Sequence, residues 1–170
     1  MALEDDIESL VSALSWTEKT LERVLNRALA RTMRTFAVRL ATETAKDAKL
    51  PKRPLRQRMR LRARGDLRAT LSMITHNLPL IVAGGRQMAS GVATRQGLLV
   101  RGAFIAAGRY GRLKAKAYRR AGRHRMPLVA QGVPIHEATV ANAAVIERSE
   151  LADIFLKNLM HEVRYRGGLL

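Results

Sequence analysis

The sequence predicts an α+β fold in which a long N-terminal helix and a long C-terminal helix flank a small, mainly antiparallel β-sheet. Two observations support this prediction. Apolar residues recur at helical spacing over residues 16–48 and again over 137–165. Between them, residues 67–130 alternate apolar and polar side chains in short runs that glycines interrupt, which is typical of short strands joined by turns.

The length and composition indicate one domain spanning residues 1–170. The chain has 170 residues, of which 47% are apolar, so it can bury one core and is too apolar to be disordered. We divide this domain into a helical part at 1–50, a basic element with the sheet at 51–135, and a helical part at 136–170. The chain contains no cysteine, which excludes disulfides and thiolate chemistry.

Neither secretion nor membrane insertion is expected. The longest uncharged apolar run is far shorter than the ~20 residues that span a bilayer. The chain starts Met-Ala-Leu-Glu-Asp-Asp, which is acidic, whereas a secretory signal peptide starts with positive charge.

Two helices are predicted before residue 51. The first covers residues 1–14, where acidic side chains near the start favour a helix N-terminus. Ser15 and Glu18 form a capping box, so the second helix should start near Trp16, and Pro51 stops it. From 16 to 48 this helix is roughly 50 Å long, whereas a compact domain of this size is about 40 Å across. We therefore expect it to overhang the domain and to need a neighbouring molecule.

Residues 51–64 form an arginine-rich block with two interpretations. Its alternating arginines are Arg56, Arg58, Arg60, Arg62 and Arg64. A strand would place all five guanidinium groups on one face. A short helix opened by Pro54 would spread them around its circumference, and we favour this helix.

Short strands and a last helix are expected after this block. Residues 98–106 and a basic stretch at 113–119 are strand-like, and residues 126–133 close the sheet. The stretch 84–98 is rich in Gln, Ser, Gly and Thr, so a mobile loop is the alternative there. The last helix, from 137 to 165, is roughly 43 Å long.

The net charge of +17 comes from the middle of the chain. Residues 51–125 hold 19 Lys and Arg against Asp66 alone, whereas residues 1–50 are balanced and 126–170 nearly so. Such a field indicates an anionic partner. Residues 51–103 contain no aromatic side chain on which single-stranded nucleic acid would stack. Duplex DNA held through its phosphates, or an acidic protein ring, fits better.

No catalytic or metal-binding motif is found. The histidines are His76, His124, His136 and His161, and none lies at metal-ligand spacing from another. The acid pairs Asp5/Asp6 and Glu147/Glu150 fit solvated or capping charges on helices better than an acid–base couple. The chain has no phosphate-binding loop and no Gly-x-Ser-x-Gly elbow. We therefore expect no enzyme activity, no cofactor and no metal.

An ordered set of short motifs runs through most of the chain. The first are Asn26-Arg27-Ala28 and the arginine-rich stretch 55–62. Next come Leu78-Pro79-Leu80-Ile81, Gly84-Gly85-Arg86-Gln87 and Gly91-Val92. The last are Gly102-Ala103-Phe104-Ile105-Ala106, a basic strand, Arg125-Met126-Pro127-Leu128 and Val133-Pro134-Ile135. Taken in this order, they resemble the minor tail protein Z family, the tail completion proteins of lambda-like tailed bacteriophages. The long segment 88–99 and the acidic start at 1–14 depart from the family pattern.

The resemblance implies a non-catalytic virion protein at the head-proximal end of a long non-contractile tail, made in the host cytoplasm. Its expected partners are copies of itself in a ring, six-fold to match a tail tube, and the tail terminator, tail tube or head-connector proteins. Contact with genomic DNA in the channel is also expected. The basic residues we assign to the partner or DNA contact are Arg56, Arg58, Arg60, Arg62, Arg64, Lys114, Lys116, Arg119 and Arg120. The alternative is a non-catalytic basic module that binds nucleic-acid phosphates.

Overall fold

The structure, a computed structural model, describes residues 18–106 and 115–166. These residues divide into two compact units that interleave along the chain. Unit 1 takes the described residues of 1–37, 60–72 and 146–170, and unit 2 takes those of 38–59 and 73–145. The predicted helix at 1–14 and the capping residue Ser15 lie outside the described residues.

The predicted α+β class is confirmed. The helices are α1 (Glu18–Asp47), α2 (Lys52–Gln57), α3 (His136–Ser149) and α4 (Leu151–Arg166). The strands are β1 (Met59–Arg64), β2 (Arg68–Met73), β3 (Leu78–Pro79), β4 (Arg86–Met88), β5 (Gly91–Ala93), β6 (Leu99–Arg101), β7 (Ala103–Ala106), β8 (Lys116–Arg120), β9 (Leu128–Ala130) and β10 (Gly132–Val133).

The long helix α1 contributes to the apolar clusters of both units. Val24 and Ala28 pack with Leu159 and Val163 of α4 in unit 1, whereas the later part of the helix packs in unit 2. The helix ends as predicted, before Pro51. Just past that end, the Leu50 N–H donates to the carbonyl of Ala45 at 2.8 Å and Lys49 has φ of +50°. This left-handed residue after the last turn is the usual way to satisfy the final carbonyls of a helix.

The C-terminal helical segment is present, but it is divided at Glu150 into the two helices α3 and α4. The Glu150 N–H donates to the carbonyl of Ile146, and the Ile154 N–H donates to the carbonyl of Glu150, both at 3.0 Å. Hydrogen bonding of helical spacing therefore continues across the boundary between α3 and α4.

The favoured helix for residues 51–64 is wrong beyond Gln57. The helix α2 starts at Lys52 rather than at Pro54, and residues 59–64 form β1, which pairs with β2. Met59 and Leu61 are half-buried while the arginines between and after them are exposed. Apolar side chains at every second position can be covered only by an extended chain, which is why the strand prevails here.

The strands form four small sheets among the described residues, where one sheet was expected. The sheets are β1-β2, β3-β10, β4-β5-β6 and β7-β8-β9, and every register determined within the last three is antiparallel. Gly102, with φ of +69°, separates β6 from β7 and so divides the predicted strand at 98–106.

The mobile-loop alternative for residues 84–98 is wrong, because this stretch forms β4 and β5. Its polar side chains bind backbone groups there. The Gln87 side chain donates to the carbonyl of Gly91 at 3.1 Å and accepts from the Ile105 N–H at 2.8 Å. The Thr94 hydroxyl accepts from the Leu98 N–H at 3.2 Å. The polar side chains of this stretch therefore stabilise folded structure through hydrogen bonds to the backbone.

The core of unit 2 is built from the later motifs of the sequence. Its largest fully buried apolar side chains are Leu55, Leu78, Leu80, Val92 and Ile135. A β-carbon at Gly91 would lie 2.2 Å from the carbonyl oxygen of Val100, so only glycine fits there. These positions set the frame on which the basic side chains of this unit are displayed.

Candidate anion-binding surface

The predicted basic residues fall into two sets. Arg60, Arg62 and Arg64 lie on β1 in unit 1. The unit 2 set is Arg56, Arg58, Lys116, Arg119 and Arg120. Lys114 lies outside the described residues. All the described members are exposed except Arg58, which is half-buried.

The helix α2 carries three cations on one side of a groove. Leu55 is completely buried and fixes the helix against the core, so Lys52, Arg53 and Arg56 project outward. Together with Val38 and Thr42 of α1, they line a groove of about 670 Å³. Gln57 completes the lining, and no carboxylate belongs to it.

Val38 gives this groove an apolar part. Its side chain is 47% exposed, which is unusual for valine, and the Thr42 hydroxyl is satisfied by the Val38 carbonyl at 2.9 Å. The groove therefore offers three cations and an uncovered apolar side chain. We call Lys52, Arg53, Arg56, Val38 and Thr42 the basic groove. Such a lining can hold phosphate or carboxylate groups together with an apolar contact.

Arg58 is engaged inside unit 2. Its guanidinium donates to the backbone carbonyls of His76 and Asn77, the second at 3.4 Å. Its own carbonyl accepts from the Ile74 N–H at 3.1 Å. A residue bonded in this way holds the segment before β3 and has fewer N–H donors left for a partner.

The strand β8 displays the other predicted cations of this unit. Ala117 is buried in the core while Lys116, Arg119 and Arg120 are exposed, so the strand is half-buried with basic outer positions, as predicted. Tyr118 lies opposite Phe104 of β7, with ring centroids 6.4 Å apart.

Asn26 positions the β1–β2 hairpin of unit 1. Its side-chain amide donates to the carbonyl of Gly65 at 2.9 Å and accepts from the N–H of Leu67 at 3.1 Å. Leu67 has φ of +57°, a conformation that is unfavourable for leucine and is supported by this pair of bonds. The hairpin that presents Arg60, Arg62 and Arg64 is therefore tied to α1.

Sequence reasoning missed Lys52, Arg53 and Asn26 as site residues. Lys52 and Arg53 lie in the same basic block and would have been found by treating 52–57 alone as a helix, because positions 52, 53 and 56 share a face. Asn26 gave no such signal, because its partners are 39 and 41 positions away along the chain.

The described carboxylates of unit 2 are few. They are Glu43, Asp47 and Glu137, against fifteen Lys and Arg in the same residues. One of the three, Asp47, accepts a hydrogen bond from the Asn142 amide at 2.6 Å. Most of the positive charge in this unit therefore has no internal counter-charge.

Two of the histidines make side-chain contacts within residues 18–106 and 115–166. His136 Nδ1 lies 3.0 Å from the Thr75 hydroxyl, and His161 Nδ1 lies 2.9 Å from an Arg31 nitrogen. No group of three or more His, Asp or Glu side chains in these ranges is placed to hold a metal ion.

In comparisons with known proteins, no family model, curated protein or solved structure matches this chain. Among the described helices, none has the length and apolar character needed to cross a membrane.

Proposed function

We propose that this protein is a non-catalytic structural virion protein of the phage tail neck. In this role it completes the head-proximal end of a long non-contractile tail and supports the head–tail junction. The proposal rests on the ordered motifs that resemble the tail completion family. The observation that carries it in the structure is the basic groove, a binding surface with three cations and no carboxylate.

Several motifs on which the resemblance rests occupy positions that the packing of unit 2 requires. Leu78, Leu80 and Val92 are completely buried, and Gly85 and Gly91 lie where a β-carbon would collide with a backbone oxygen. The motif residues between 78 and 92 are therefore among those that build the frame of unit 2. A resemblance in these positions supports a shared frame, on which the cations supply the binding function.

The charge of unit 2 supports an assembly role. The described residues of unit 2 hold fifteen Lys and Arg against three carboxylates, and these cations repel one another unless a partner supplies negative charge. In a neck, that partner is an acidic face of a tail terminator, tail tube or head-connector protein, or the DNA that passes through the channel. A six-fold ring of copies would repeat the groove around the channel and leave no open interface. The protein would then reside in the virion, after assembly in the host cytoplasm.

The second candidate is a basic module that binds nucleic-acid phosphates without catalysis. The exposed cations of β8, with the neighbouring pair Phe104 and Tyr118, favour it. The two candidates differ in their response to salt. Phosphate contacts release counterions, so affinity for duplex DNA would fall by about 10³–10⁵ between 50 and 200 mM salt for 6–10 contacts.

The test measures assembly and DNA binding across that salt range. We expect the purified protein to form a ring by analytical ultracentrifugation and to keep it at both salt concentrations. A protein that remains monomeric in solution and in particles, and binds duplex DNA with the steep salt dependence, would contradict the neck role.

A charge-reversal pair tests the basic groove in a separate experiment. Arg53→Glu with Arg56→Glu should prevent incorporation into tails in a complementation experiment. The matched control is Arg86→Glu with Arg95→Glu, two exposed residues of the same unit outside the groove. Equal incorporation of both variants into tails would show that the basic groove is not the surface that binds the partner.

A further inference from the structure

Unit 1 contains a second cationic pocket, separate from the basic groove. It measures about 420 Å³ and lies between α1 and α4. Its charged and polar lining consists of Arg27, Arg31, Arg34, His161, Glu162 and Tyr165. None of these residues belongs to the surface predicted from the sequence.

The helical spacing brings the arginines together. Positions 27, 31 and 34 follow one another at intervals of four and three residues, so their side chains share one face of α1. Positions 161 and 165 share a face of α4 for the same reason. The apolar cluster of Val24, Ala28, Leu159 and Val163 packs these two helices against each other.

One of the arginines is fixed in place by α4. Glu162 is 7% exposed, and its Oε1 lies 2.9 Å from Arg31 Nη1. The same nitrogen lies 2.9 Å from His161 Nδ1. These two contacts occupy Nη1, so the other edge of the guanidinium, Nε and Nη2, is left for a further acceptor. Asn158 adds a bond to the Thr32 hydroxyl at 3.1 Å, which fixes the helices one turn further along.

The contact with Arg31 also determines which ring nitrogen of neutral His161 carries the hydrogen. An arginine can only donate, so His161 Nδ1 accepts, and the neutral ring carries its proton on Nε2. His161 therefore presents a donor from Nε2. Tyr165, which is 63% exposed, brings a hydroxyl to the same pocket.

The remaining charge of the pocket is positive. Glu162 offsets Arg31, whereas Arg27 and Arg34 have no carboxylate partner among the described residues. Two guanidinium groups without a carboxylate partner among the described residues, the open edge of a third, and the side chains of His161 and Tyr165 line one space. Arginine binds phosphate oxygens with paired hydrogen bonds, and an oxyanion with several acceptors uses all of these donors.

We propose that this arginine pocket of unit 1 binds a phosphate group, either of a DNA backbone or of a free phosphate compound. The site goes beyond the neck role and does not depend on it, since none of its residues belongs to the basic groove. Glu162 and His161 act as positioning residues for Arg31, while Arg27 and Arg34 supply the charge.

The test titrates the full-length protein by calorimetry with inorganic pyrophosphate and, separately, with a short duplex DNA. The variant is Arg27→Gln with Arg34→Gln, and both residues are exposed, so it should keep the wild-type melting temperature. We expect each lost guanidinium to weaken pyrophosphate binding by about tenfold.

The matched control is Arg23→Gln with Arg164→Gln. It removes the same amount of charge at exposed positions outside the pocket lining, one on each of the two helices that form the pocket. It should bind as the wild type does. A pocket-dependent loss seen with duplex DNA but not with pyrophosphate would assign the phosphate to a DNA backbone. Equal loss in both variants, or no binding of either probe to the wild type, would overturn the proposal.

Discussion

At the scale of single residues, arginines of the same basic block have different structural roles. Arg56 is exposed and lines the basic groove, whereas Arg58, two positions later, gives its guanidinium to two backbone carbonyls. Asn26 uses both ends of its amide on the β1–β2 turn. Charge and exposure therefore have to be judged residue by residue within the block.

Replacing Arg58 should cost stability, and replacing Arg56 should not. Arg58→Ala leaves the His76 and Asn77 carbonyls without their donor, so the free energy of unfolding should fall by about 1–3 kcal/mol in urea denaturation. Arg56→Ala should change it by less than about 0.5 kcal/mol, because an exposed side chain is removed. Equal values for the two variants would contradict the assigned roles.

Asn26→Ala should loosen the hairpin of unit 1. Two hydrogen bonds are lost at a turn that holds Leu67 at positive φ, so we expect a loss of about 1–3 kcal/mol and faster hydrogen exchange at the Leu67 amide. Gln96→Ala, which changes an exposed amide in another loop, is the control. Unchanged exchange at Leu67 in Asn26→Ala would show that the turn does not depend on this side chain.

At the scale of elements, the tight pairing of β5 and β6 determines the frame of unit 2. Gly91 lies opposite Arg101, and the backbone of β6 comes too close to admit a β-carbon there. The strand β7 packs against β4 and β5, so a displacement at Gly91 reaches the core positions Ala103 and Val92.

Gly91→Ala should therefore destabilise the protein by at least about 2 kcal/mol, measured by thermal or urea unfolding. Gly122→Ala is the matched control, because a β-carbon there meets no atom within 4 Å. It should change stability by less than about 0.5 kcal/mol. A tolerated Gly91→Ala would mean that β5 and β6 are further apart than described.

The sequence predicted the elements better than their grouping. Periodicity located α1 and the C-terminal helical segment because each buries a continuous apolar stripe, such as Val24 and Ala28. It did not resolve residues 51–64, because Leu55 anchors a helix and Leu61 a strand only four residues after that helix ends. Long-range contacts such as Asn26 with the turn at 65–67 leave no local signal.

At the scale of the whole molecule, the basic middle of the chain does not form one body. Residues 60–72 belong to unit 1 with α4 and the first part of α1, and the flanking basic residues belong to unit 2. The sequence showed the excess charge but not this division, since a block contiguous in sequence is divided between two units. Each unit presents a cationic site: the basic groove in unit 2 is formed by residues of the basic block and α1, and the arginine pocket in unit 1 is formed by α1 and α4.

The most direct test of the neck role locates the protein in particles. A C-terminal tag, labelled with gold, would be imaged by electron microscopy in particles from the producing cells. The account predicts label at the head–tail junction and at one end of free tails. Label absent from every particle, with the protein sedimenting with cellular nucleic acid instead, would contradict it.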